Sequence, residues 1–278
     1  MLHTNSQFQT AQESFKQGQY KKSFLNLIKI SSQFSNDPEF LRLLSQVQMS
    51  LKDFAGQLKT LHVLSRKSQA VEDKVKYMMA LFSQGQRNES LDEALKLLSQ
   101  PLAKAEKVFV FKTLIRIYSV ENDFEGLEDV CRELSTLGID DAEVSYSQAL
   151  VEAAKGELDQ AIDYLRKAVR ENPTFDTGWA ALGLYHYEKG DIELAKGNLE
   201  KALDLNPANT TALKHISNWV DDSQPDELNS TLEKVNYYLQ KFNFDEEISE
   251  CHAKLLIKKG KADLAQLEID KLSYYFGN

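Results

Sequence analysis

Cysteine is nearly absent from this sequence, with Cys131 and Cys251 the two among 278 residues. They lie far apart and form no CxxC pair, so both read as buried free thiols of a reducing compartment. Proline and glycine are sparse too, five and twelve, and strand-like alternation is missing, which leaves helix as the expected element. No apolar run is long enough to span a bilayer, and residues 1–10 are polar with no hydrophobic signal segment. A cytoplasmic protein without membrane insertion is expected. Positive charge is in deficit: 33 Lys and Arg stand against 42 Asp and Glu, a net charge of −9. That balance disfavours nucleic-acid binding, which rests on phosphate neutralisation, and a polybasic membrane anchor.

Chemistry-bearing patterns are missing as well. The five histidines, His3, His62, His186, His215 and His252, make no i, i+4 pair and no HExxH, and neighbours Cys251 and His252 point to different helix faces. There is no Gly-rich phosphate loop and no nucleophile elbow. The acidic run Asp221, Asp222, Asp226, Glu227 lacks the central Gly and terminal Glu of a calcium loop and reads as a solvated helix start. No catalytic residue, metal ligand or cofactor is assigned, and the chain is read as no enzyme.

What the sequence does contain is a repeat. Trp179, Leu182, Gly183 and His186 fall at i, i+3, i+4 and i+7 on one helix face, and Ala195, Leu199 and Ala202 do the same on a second helix. Gly190 supplies the turn between them and Pro207 stops the second helix. Stepping back one period of about 34 residues finds Gly156, Ala161, Leu165, Ala168 and Pro173 in the same slots. A lone pair of short helices buries too little apolar surface to be stable, so neighbouring copies are required.

These residues resemble the tetratricopeptide repeat (TPR), a helix-turn-helix unit with the pattern W-x2-L-G-x2-Y, A-x3-F, P; His186 stands where that family prefers Tyr. The expectation is an all-α fold, an α-solenoid of about eight stacked TPR-like repeats. The first runs over about residues 4–37 and the second over 38–71, where Asp37-Pro38 is a helix start. In the third, residues 83–90 read as a long polar loop. The first and fifth carry polar residues in the slots for large ones: Gln7, Thr10 and Ser14, and Ser145, Gln148 and Glu152. For the first, a polar terminal cap explains this. For the fifth a rotated first helix is expected, and with it two halves, residues 1–141 and 142–278.

The resemblance implies a right-handed superhelix whose inner surface is lined by the first helices and grips extended peptides. Carried over slot by slot, that groove holds Arg42, Gln46, Met49, Lys76, Lys112, Arg116, Tyr146, Leu150, Leu184, Tyr187, Lys214 and Asn218. Cations beside apolar steps suit a protein or peptide partner with acidic groups. Lys214 and Asn218 match the family's carboxylate clamp, but Cys251 stands where the clamp needs a second Asn. The expected function is a non-enzymatic scaffold or adaptor, of the kind that serves as a chaperone or assembly factor. The alternative is a homo-oligomer, such as a homodimer, formed through the aromatic end Tyr274, Tyr275 and Phe276.

Overall fold

The computed structural model describes residues 2–242 and 245–276, and among them are sixteen α-helices and no strand. The all-α array of helical hairpins is therefore what the chain forms. It divides into two compact units, residues 1–126 and 127–278. The junction expected near residue 141 lies within the second of these.

In the first unit, α1 (Ser6–Lys16) pairs with α2 (Tyr20–Phe34), α3 (Pro38–Ser50) with α4 (Phe54–Lys67), and α5 (Val71–Ser83) with α6 (Arg87–Leu98). Helix α7 (Lys104–Glu121) packs on α5 and α6. Side chains set the starts. Asn5 Oδ1 accepts from the Gln7 and Phe8 amides at 3.0 and 3.2 Å, and Asp37 Oδ1 from Glu39 and Phe40 at 2.9 and 3.1 Å, with Pro38 as first helical residue. Phe8, Leu27, Phe40 and Leu64 are fully buried between successive hairpins. Each such side chain stabilises the stack by about 1.5–3 kcal/mol.

Residues 83–90 are not the long loop expected. Helix α5 ends at Ser83, Gly85 takes the left-handed conformation (φ 76°), and α6 begins at Arg87. The exposed first turn of α6 is polar because it faces water, and Ser90 is fully buried, its Oγ donating to the Met78 carbonyl at 2.9 Å. In α2, Ser23 Oγ donates likewise to the Ala11 carbonyl at 2.8 Å, also twelve residues back. Small residues at this interval let the two helices of a hairpin touch.

The second unit opens in α8 (Phe124–Thr136) and continues with four hairpins. They pair α9 (Ala142–Ala154) with α10 (Leu158–Glu171), α11 (Asp176–Glu188) with α12 (Ile192–Leu205), α13 (Thr210–Trp219) with α14 (Pro225–Lys241), and α15 (Glu246–Lys258) with α16 (Ala262–Phe276). The crossing of α11 and α12 is the tightest: a Cβ built on Gly183 would meet Leu199 Cγ at 2.9 Å and the Ala195 carbonyl at 3.0 Å. The Trp179 indole donates to the Pro173 carbonyl at 3.0 Å, and Asp176 Oδ2 accepts from both Asn206 and Asn209 at 2.8 Å, tying the loops at either end of the hairpin to α11. His186 is buried in the slot preferred for Tyr, its Nδ1 donating to Asp191 Oδ2 at 3.2 Å.

Helix α9 is not rotated as expected. Ser145 is fully buried in the slot of the large residue, whereas Tyr146 and Leu150 are only half-buried. The close packing of Ala149 with Ala161 and Leu165 holds the helix in register. The misfit leaves Ser145 Oγ and Gln148 Oε1 buried without a hydrogen-bond partner.

Candidate functional site

Within each unit the second helix of a hairpin packs on the first helix of the next, α13 also touches α15, and the residues expected to bind a partner lie on the first helices. In the first unit, Gln46 and Met49 on α3 are exposed, Met49 to 61%. Arg42 is not an unengaged groove cation. Its guanidinium grips Asp73 at the start of α5, with Nη2 2.6 Å and Nε 2.9 Å from Oδ2, and Ser68 Oγ donates to the same carboxylate at 2.6 Å. Burial pushes the Asp73 carboxyl up, but the hydrogen bonds from Arg42 and Ser68, with the charges of Arg42 and Lys76, hold it below its usual value. Lys76 is exposed, with Nζ 3.7 Å from Asp73. On α7, Lys112 is half-buried and Arg116 exposed. Asp73 offsets part of the positive charge of Arg42 and Lys76.

In the second unit, Tyr146 on α9 meets the Phe175 ring edge-on, centroids 5.3 Å apart, and Leu150 and Leu184 are half-buried steps beside it. Tyr187 on α11 is 39% exposed and lies flat on Trp219 of α13, 3.8 Å away with 4° between planes. His215 sits 5.4 Å from Trp219. Burial, helped by the Lys214 charge, lowers the His215 pKa, so its ring is neutral at pH 7. Lys214 is paired with Glu247 on α15 at 3.1 Å, and Asn218 is exposed. The pairing occupies the lysine of the would-be clamp, while the neighbouring Cys251 is a buried free thiol.

Trp219, Asp73 and Glu247 were not singled out from the sequence. A signal existed for Trp219, an aromatic next to the Asn218 slot. Asp73 lies 31 residues beyond Arg42 and looks like any other acid in a first turn.

Among the described residues no three His, Cys, Asp or Glu side chains could hold a metal ion, and no helix is long and apolar enough to cross a membrane. Cys131 and Cys251 are both buried, and burial raises both thiols, Cys131 to about 11.

Helical hairpins locked by small residues, each packed by its second helix on the first helix of the next, define a helical-repeat scaffold. Residues 139–174 and 177–209 each match the tetratricopeptide repeat, so this stretch of the chain carries two such repeats. Such proteins are typically non-enzymatic scaffolds with protein partners. Over 143 residues the chain is 32% identical to cellulose synthase operon protein C of Escherichia coli K12; the match covers 51% of this chain and 11% of that protein. Among solved structures it is similar to PilW, a type IV pilus biogenesis factor (TM-score 0.59, 16% identity, 75% of this chain and 94% of that one). It is also similar to the C-terminal part of a TPR repeat-containing protein from Cytophaga hutchinsonii (TM-score 0.55, 15% identity, 94% and 99%). At these identities the two structures speak to the fold alone.

Proposed function

We propose that the chain binds an extended protein segment along its first helices, as an adaptor or assembly factor working in the cytoplasm. The observation that carries this reading is the Tyr187–Trp219 stack, which presents a flat aromatic step on the first helices of the second unit beside exposed Asn218. The first unit, by itself, offers a separate place for such a segment, where Lys76, Lys112 and Arg116 face its acidic side chains. The surplus of acidic residues across the chain argues for a protein partner over nucleic acid. The test is a panel of acidic twelve-residue peptides against wild type and a Lys112→Glu, Arg116→Glu variant. Affinity is expected to fall about ten-fold or more at low salt. Equal affinities in the two proteins would remove the basic face from the account.

A second reading is favoured by α16. Leu264, Leu267, Tyr274 and Tyr275 form one exposed stripe, with Leu267 at 58% and Tyr274 at 83% exposure. The Phe276 side chain lies outside the described ones. If copies associate through this stripe, light scattering will show a lower mass for a Leu267→Asp, Tyr274→Asp variant than for wild type. An unchanged mass would leave the peptide-binding reading alone.

A further inference from the structure

A different surface, formed by the second helices, has the opposite charge. Between α12 and α14 runs a trench with two neighbouring hollows of about 400 and 470 Å³ that share Ser230 in their walls. The first has an apolar floor made by the end of α13: Ile216, Trp219 and Val220. Four carboxylates and one lysine line it, and two carboxylates and one lysine line the second. Lys196 spans the trench to Glu227 at 2.7 Å, and Lys234 reaches Glu200 at 3.9 Å. Glu193 and Asp226, at the mouth of the first hollow, make no ion pair among the described residues.

The glycine in this wall is the second observation. Gly197 lies in the interior of α12, where glycine is a poor helix former. Nothing in the backbone calls for it, since its φ is not positive, and a Cβ there would meet no atom within 4 Å. In the same hairpin Gly183 is required by contact with Leu199; Gly197 makes no such contact, and the absence of a side chain there leaves the wall of the first hollow open.

We propose that this trench binds an extended basic segment of a partner protein. The alkyl stem of an arginine or lysine lies along Ile216, Trp219 and Val220, and its cation sits between Glu193 and Asp226. A long cationic side chain suits such a site because its stem is apolar and its head seeks carboxylates. The Tyr187 stack fixes the Trp219 ring that forms the floor, so the site is preformed. This surface shares Trp219 with the acidic-peptide reading, but its carboxylates lie on α12 and α14, and reversing Glu193 and Asp226 tests it without touching the Tyr187 stack.

The test uses the full chain and a fluorescently labelled octapeptide alternating arginine and leucine, with a citrulline-for-arginine peptide as uncharged control. Fluorescence anisotropy should show the arginine peptide binding about ten-fold or more tightly than the control. Gly197→Leu, which fills the trench, should lose a similar factor while melting no lower than wild type. Glu193→Lys with Asp226→Lys should lose it too, and decides the matter if Gly197→Leu fails to fold. Lys112→Glu with Arg116→Glu should leave this binding intact. Equal binding of the two peptides, or full binding by a folded Gly197→Leu, would overturn the proposal.

Discussion

Leu199→Ala is expected to destabilise the second unit by about 3 kcal/mol, and Gly183→Ala by about 2 kcal/mol, yet the double variant should lose clearly less than the sum. Leu199 is fully buried, and its removal forfeits both its transfer free energy and the packing around the hole it leaves. Alanine is the better helix former, so on propensity alone Gly183→Ala should stabilise α11 by about 1 kcal/mol. The sign reverses because the new methyl would sit 2.9 Å from Leu199 Cγ and 3.0 Å from the Ala195 carbonyl, which is backbone and cannot swing away. Shortening Leu199 relieves the first of those contacts and leaves the second. Urea titrations of the four proteins measure the coupling, and strict additivity would mean that the two helices are not held at the distance described. Gly197→Ala is the control within the same hairpin: the added methyl meets nothing, and stability should rise.

Asp73→Ala should cost the first unit about 3 kcal/mol, and Asp73→Asn somewhat less. The carboxylate side chain is 2% exposed and holds Arg42 and Ser68, so its loss removes four hydrogen bonds that tie α3, the loop before α5 and α5 together. Arg42 is 39% exposed and recovers water, which keeps the cost below that of a fully buried charge. The pH dependence has a definite sign. Asp73 is held below its unfolded value in the folded chain, so its contribution is complete above the ordinary carboxylate pKa of about 4 and is lost as pH falls further. The stability gap between wild type and Asp73→Asn should therefore be constant from about pH 5 to 7 and shrink below about pH 4. A gap independent of pH would show that the charge of Asp73 is not what joins the helices.

The hairpin of α11 and α12 was legible because its constraints are steric and periodic. Gly183, Ala195 and Leu199 must be small, small and large for two helices to touch, and no other residues fill those slots as well. The same interval recurs as Ala11 with Ser23 and as Ala149 with Ala161, all buried. Residues 83–90 misled because an exposed first helical turn and a loop have the same polar composition. Helix α9 misled because its apolar residues mark a face that the tighter contact of Ala149 with Ala161 does not allow it to bury. The interaction surface was legible only as positions on first helices. Which of those cations are already engaged depends on pairings such as Arg42 with Asp73 and Lys214 with Glu247, and these join helices a repeat apart. Charge at one position carries no sign of its partner.

The most direct test of partner binding by the first helices is site-specific photo-crosslinking of the full chain with a bound partner segment. A photoreactive phenylalanine analogue would be placed at Gln46, Lys76 and Asn218 on first helices, and at Leu25 and Leu95, exposed on α2 and α6. The account predicts crosslinks from the first three positions and none from Leu25 or Leu95. Crosslinks from Leu25 and Leu95 with none from the first helices would contradict it.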